Sequence, residues 1–193
     1  MADATIRCMA VSARRGAPLS LDEIRSTALR LIDEGGVEGL SMRKLAAELD
    51  VNPMSLYHHV ASKEALLARI CETMTIRLPL PPDDDTPWEE QLRALALAYH
   101  RHAQQHPAMW SYVHNHPEFI EDRQLPLWQA LYRILRASGV PEEELRRTSE
   151  VLHAFVSGFV FAETRGHVTG APEEIEHTFD IALDMIINGL AAR

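Results

Sequence analysis

Two groups of residues in this chain have the types and spacing to do chemistry. Tyr57, His58 and His59 stand together in "NPMSLYHHVASKE", between an Asn-Pro pair and a Ser-Lys pair. Five histidines then crowd the stretch from His100 to His116. Imidazole serves as a metal ligand, as a general acid or base, or as a hydrogen-bonding group presented to another molecule. For His58 and His59, neighbouring positions on a helix point about 100° apart, and no Cys or Glu joins them at ligand spacing. His102 and His106, four residues apart, share a helix face, so a metal site is geometrically open there, though no third ligand follows at fixed spacing. A metal-assisted hydrolase on the His100–His116 cluster is the enzyme reading this permits. It lacks a partner carboxylate motif, a nucleophile elbow and a Gly-rich phosphate loop. No metal, cofactor or catalytic residue is therefore assigned, and the Tyr57–His59 group is read as side chains offered to a macromolecule.

Helices must position these residues, because helix starts are frequent in the sequence and strand signals nearly absent. Ser20 and Glu23 make a capping box ahead of Leu21, Ile24, Ala28, Leu31 and Ile32, and Gly35-Gly36 closes that helix. Ser41 caps a short second helix that buries Leu45, Ala46 and Leu49, and Asn52-Pro53 opens a third. Ser62 caps a fourth, with Leu66, Leu67, Ile70 and Met74 along one side. "LPLPPDDDTP" reads as a linker, after which Thr86 and Glu89 form a further capping box. Later helices centre on Leu127 to Leu135, start at Pro141 with three acids, and start again at Pro172. The chain is expected to be all-α, with an N-terminal three-helix helix-turn-helix domain and a larger helical ligand-binding and dimerisation domain. The expected boundaries are a flexible arm over 1–18, the helix-turn-helix with its connecting fourth helix over 19–78, a linker over 79–87, and the second domain over 88–193.

Composition narrows the partners. The net charge of −9 resides wholly beyond Leu78, since the first 78 residues hold ten basic and ten acidic side chains. An acidic body with a neutral first third is no general polyanion binder, but leaves the first third free to meet nucleic acid. Cys8 and Cys71 lie far apart and suggest a reducing compartment. No segment is apolar enough to span a bilayer and the first residues lack signal-peptide order, so a soluble cytoplasmic protein with no membrane partner is expected.

Two helices joined by a tight turn and flanked by longer ones follow the grammar of a helix-turn-helix, whose second helix enters the major groove with its N-terminal end leading. Here that end carries Asn52, Pro53, Met54, Ser55, Tyr57, His58 and His59, while Leu56 and Val60 face the bundle. Ser55 suits base edges or phosphate, Met54 a thymine methyl, and Tyr57 with the histidines the backbone oxygens. Lys63 follows the cap Ser62, where helix N–H groups and an ammonium would meet one phosphate together. Arg43 and Lys44 occupy the first turn of the second helix, and Arg43 is placed to approach a guanine. Arg14 and Arg15 suit either a minor-groove contact or a solvated tail.

The stretch "GLSMRKLAAELDVNPMSLYHHVASKEALL", Gly39 to Leu67, resembles the DNA-binding signature of the TetR family of bacterial transcriptional regulators. The resemblance covers roughly Leu19 to Leu78; beyond Pro79 only helix count, acidity and length agree. It implies a homodimer that binds a palindromic operator as a repressor and is released by a small molecule in the C-terminal domain. Carried onto these residues, it implies phosphate contacts from Tyr57, His59 and Lys63, base reading by Arg43, and sequence choice at Asn52 to Ser55. The role of His58 stays open. In the tetracycline-binding branch a histidine near this region meets the drug's magnesium, and His114 is the nearest match.

In the second half, the helices after Pro141 and Pro172 are apolar on more than one face and need cover all round. A second copy is the simplest cover, through Leu152, Val156, Phe159, Val160, Phe179, Leu183 and Ile186, with Ala154, Ser157 and Gly158 allowing close approach. Trp110, His114, Trp128, Leu131, His153 and Phe155 combine aromatic surface with polar groups and form the expected effector pocket. Core packing is their plain alternative. A helical binding protein that does not grip DNA is the remaining alternative function.

Overall fold

Side chains start every helix of the first half. Ser20 Oγ accepts the backbone N–H of Glu23, and the Glu23 carboxylate accepts that of Ser20, completing the capping box. Ser41, Asn52 and Ser62 accept from the backbone N–H groups of Lys44, Met54 and Ala65 at 3.1, 2.9 and 3.1 Å. The helices so begun are α1 (Leu21–Gly39), α2 (Met42–Glu48), α3 (Pro53–Tyr57) and α4 (Lys63–Ile76). The computed structural model describes residues 18–116 and 125–192, without the side chains of residues 75 and 76. All but the last residue of the expected arm over 1–18, Arg14 and Arg15 included, lies outside the described residues.

Gly36 takes φ +72°, a conformation that penalises any side chain, and breaks α1 where the glycine pair predicts. The chain then makes one more helical turn through Val37 to Gly39 before α2. Arg30 ties these elements together, pairing with Glu34 on its own helix and Glu48 on α2.

The second half holds α5 (Trp88–Gln105), α6 (Pro107–His114), α7 (Pro126–Ala137), α8 (Leu145–Thr164) and α9 (Pro172–Ala191). In none of the five does the residue before the first turn cap it with its own side chain, although Glu174 accepts the Ala171 N–H at 2.9 Å at the start of α9. The capping box expected at Thr86 and Glu89 does not form. Pro87 occupies the cap position, its carbonyl taking the first helical bond from Gln91, while Thr86 N–H turns back to Asp84 Oδ1 at 3.0 Å. The acids after Pro141 form a 3-10 turn (Glu142–Glu144), and α8 begins only at Leu145. The linker is pinned: Arg133 on α7 donates to Pro81 O at 3.1 Å and to Gln91 Oε1 at 2.6 Å, and pairs with Asp83.

One continuous set of buried side chains runs from Ile24 in α1 to Leu190 in α9. In the first half it gathers Ile24, Leu31, Ile32, Leu45, Leu56, Leu66 and Ile70; in the second, Met109, Ile134, Leu135 and Phe179. The two halves meet where α6 lies along α1 and α4 touches α7. Among the described residues there is no strand, and no helix is long and apolar enough to cross a membrane.

Candidate functional site

The short helix α3 exists because Asn52 caps it, Pro53 fixes its first turn, and Leu56 anchors it. Leu56 is fully buried and Val60 nearly so, which turns the other side chains outward. Met54 is 64% exposed and Tyr57 45%, high values for large apolar groups that the chain's own core leaves uncovered. Asn52, Pro53, His58 and His59 are exposed with them, and Ser55 is half-buried. Asp50, at φ +52°, makes the turn between α2 and α3. Arg43 and Lys44 project from the first turn of α2, both exposed. The helix stops at Tyr57, so His58 caps its C-terminal end and His59 sits in the turn beyond. The two histidines are therefore outside α3, contrary to the expectation that they extend it. The backbone closes there with His59 and Val60 N–H groups both on the Leu56 carbonyl.

Lys63 also makes a contact within the chain. It is half-buried, and its ammonium donates to the Val37 carbonyl at 2.8 Å, tying the start of α4 to the turn after the Gly36 break. That carbonyl also receives Leu40 N–H. One of the three N–H donors is thus committed inside the chain.

A cavity of about 310 Å³ opens between α5, α6 and α8. Its lining includes Trp110, His114 and His153 of the expected pocket, with Tyr99, Ser157 and Phe161. Tyr99 Oη, His153 Nε2 and Ser157 Oγ lie within 3.2–3.3 Å of one another. Burial pushes the Tyr99 hydroxyl up to about 12, so it stays protonated. Trp110 is 7% exposed and its Nε1 has no partner among the described residues, a donor left for something else to accept. His114 stacks on Phe161 at 5.0 Å, and Arg165 covers the same ring. No Asp, Glu, Lys or Arg lines it.

Trp128 and Leu131 instead line a smaller void of about 40 Å³, separated from the main cavity by Tyr99 and His153. Phe155 lines neither; it stacks on Phe179 of α9 at 5.9 Å, because the α8 face carrying it turns toward α9. Sequence reading missed Tyr99 and Ser157 as pocket residues: Tyr99 sits on an apolar period, and Ser157 resembles a small helix-contact residue.

The residues expected at a dimer contact differ in their burial. Leu152, Val156, Val160, Phe179 and Leu183 are all buried within their own chain, Phe179 completely. α8 and α9 turn those residues onto α5 and α7 and leave a different stripe outside. Val151 at 67% and Met185 at 72% are the most exposed of it, with Ile181 beside them. Phe159 and Ile186 are half-buried.

The histidines of 100–116 disperse. His100 is buried against Phe179, with Nε2 donating to Glu163 Oε2 at 2.7 Å. His106 Nδ1 lies 2.9 Å from Asp33 Oδ2 on α1, and His116 stacks on Tyr112. Among the described residues no three metal-ligating side chains converge.

An exposed, capped short helix on a four-helix head, joined to a helical body with a cavity, defines a helix-turn-helix regulator. Comparison with known proteins gives the family. Residues 24–70 match the model of bacterial regulatory proteins of the tetR family, and residues 92–186 match the tetracyclin repressor-like C-terminal domain. The chain belongs to the TetR family, whose members are transcriptional regulators and not enzymes. It is 29% identical over 146 residues to an HTH-type transcriptional regulator of Saccharopolyspora erythraea, covering 76% of this chain and 61% of that protein. It is 38% identical over 90 residues to the Escherichia coli class E tetracycline repressor, covering 44% and 41%. The chain thus spans less than two thirds of the length of these curated relatives. BioQ of Mycobacterium smegmatis superposes with a TM-score of 0.71 at 26% identity, over 90% of this chain and 99% of BioQ, and has also been solved with its double-stranded DNA operator.

Proposed function

We propose that this protein is a ligand-responsive transcriptional repressor that binds a palindromic operator as a homodimer and is released by a small molecule. The observation that carries the reading is the solvent-facing group on and beside α3: Met54 and Tyr57 have no partner in the core, and Arg43, Lys44, His58 and His59 surround them. In this reading Tyr57, His59 and one free donor of Lys63 hold phosphates, while Arg43 and Asn52 to Ser55 read bases. BioQ's operator complex supports it, since the same fold grips DNA there. The action is placed in the cytoplasm, where operator DNA is.

The effector is assigned to the 310 Å³ cavity. Its aromatic walls, a lining without Asp, Glu, Lys or Arg, and the unpaired Trp110 Nε1 favour an uncharged aromatic molecule bearing a hydrogen-bond acceptor. The packing of α6 on α1 gives a route by which filling the cavity tilts the head. A ligand that turns 99% competent protein into 1% must prefer the released state by about 5.5 kcal/mol. The partner copy is assigned to the stripe of Val151, Ile181, Met185 and Ile186.

Fluorescence anisotropy on DNA fragments adjoining the gene tests operator binding. Arg43→Ala is expected to lower discrimination at one base pair by about 1–3 kcal/mol. Equal affinity for every fragment would refute sequence-specific binding. Analytical ultracentrifugation is expected to give a dimer that Met185→Glu dissociates, and a wild-type monomer at micromolar concentration would refute the homodimer.

A further inference from the structure

Among the described residues three buried side-chain polar atoms have no partner: Trp110 Nε1, Arg25 Nε and His102 Nε2. The first belongs to the effector cavity. The other two residues both line a separate crevice of about 230 Å³ at the junction of head and body. Its walls come from α1 (Asp22, Arg25, Ser26, Leu29), α4 (Ile70, Thr73, Met74, Arg77) and the end of α5 (His102, His106). A buried donor or acceptor left unpaired costs about 1–3 kcal/mol, so two in one crevice mark a place where something else supplies partners.

The chemistry of that partner follows from charge and shape. Arg25 Nη2 and, more loosely, Arg77 Nη2 pair with one carboxylate, Asp22. Two guanidinium groups against one acid leave a single positive charge in the lining. Arg25 Nε–H remains to be accepted, and a carboxylate meets a guanidinium edge through such a group. Leu29, Ile70 and Met74 give the crevice an apolar wall. We propose that this crevice is a second small-molecule site, taking a compact monocarboxylate whose apolar body lies on Leu29, Ile70 and Met74 and whose carboxylate accepts from Arg25 Nε.

His102 makes binding proton-linked. Its buried Nε2 has no partner; as the bare nitrogen of a neutral ring it meets a carboxylate only after taking a proton. The charged and titratable groups around it are Asp22 and Arg25 from α1, Arg77 from α4 and His106, itself paired with Asp33. Burial, and then the neighbouring His106, oppose a proton on His102 until an anion arrives. Binding of the carboxylate therefore takes up a proton and strengthens as pH falls toward the histidine range. Because the site joins α1 and α4 to α5, its occupancy adds contacts between head and body. Any effect on DNA affinity rests on the operator-binding reading; the binding itself does not.

Isothermal titration of the full chain with benzoate, and with benzamide as its uncharged counterpart, tests the site. Benzoate is expected to bind saturably, roughly tenfold or more tighter than benzamide. Arg25→Met is expected to remove that preference. Gly158→Leu, which places a side chain into the effector cavity where nothing lies within 4 Å of its Cβ, leaves benzoate binding unchanged. Titrations of wild-type protein in two buffers of different ionisation enthalpy show proton uptake, a measurement that needs no variant to fold, and His102→Gln abolishes it. Absent saturable binding, equal affinity for benzamide, or loss of benzoate binding in Gly158→Leu would overturn the site. Operator affinity measured without benzoate judges the DNA-binding reading separately.

Discussion

The head and the body are built from the same element but hold it differently. In the head, four helices of 5 to 19 residues each begin on a Ser or Asn side chain that takes a backbone N–H. In the body, helices of 8 to 20 residues begin without such a cap, three of them with Pro in the first turn. Each cap is worth about 1 kcal/mol and acts locally. A five-residue helix such as α3 cannot stand on its own hydrogen bonds and needs that local support. The body's helices rest on packing across the molecule, which leaves the cavity between α5, α6 and α8. A head fixed by local chemistry is thus joined to a body fixed by tertiary contacts.

The contrast is most sharply tested by core truncation. Phe179→Ala, at a fully buried site between α5, α8 and α9, is expected to cost about 3–5 kcal/mol, and Leu56→Ala in the head about 2–5 kcal/mol. All three tryptophans lie in the body, so their fluorescence follows it alone. Leu56→Ala is expected to abolish DNA binding with the tryptophan transition in urea little moved, whereas Phe179→Ala shifts it strongly. Equal shifts would show that the halves unfold as one and that local capping confers no independence.

Caps provide the next test. Asn52→Ala is expected to cost about 1 kcal/mol, while Thr86→Ala stays within about 0.5 kcal/mol because its side chain caps nothing. Chemical denaturation of both variants decides, and a larger loss for Thr86→Ala would reverse the comparison. Lys63→Ala is expected to cost about 1 kcal/mol through the lost bond to Val37. It also flattens the salt dependence of operator binding by about one unit of slope if a remaining donor reaches phosphate. Lost stability with an unchanged slope would assign Lys63 to the α1–α4 tie alone.

The smallest effect concerns pH at the junction. Burial, then the neighbouring His106, holds the His102 imidazole below its usual range. The unfolded chain therefore binds that proton more readily, so this contribution is full above about pH 6.5 and is lost as pH falls through the folded value. His102→Gln is expected to narrow the gap between urea midpoints measured at about pH 7.5 and pH 5.5. An unchanged gap would place the acid sensitivity elsewhere.

Much of the head was legible because its signals are local. Ser20 with Glu23, Ser41, Asn52-Pro53, Ser62 and the break at Gly36 each act within three or four residues, and each does in the structure what its spacing implies. The exceptions were set by distance: Lys63 meets Val37, twenty-six residues away, which no spacing rule announces. In the body, apolar periodicity located the helices but did not say which apolar face turns inward. Leu183 and Met185 look alike as sequence, yet one is buried and the other 72% exposed.

The sequence alone determined that this chain is helical, where α3 begins, and which side chains around α3 stay exposed to solvent. Those outcomes depend on capping, proline geometry and one buried leucine, all read within a turn of helix. Only the tertiary structure decided that Tyr99, His153 and Ser157 meet around one cavity, that Phe155 and Phe179 belong to the core, and that Arg25 and His102 share a crevice. Those groups come from helices far apart in the chain. Their meeting is settled by how whole helices pack, which no local spacing encodes.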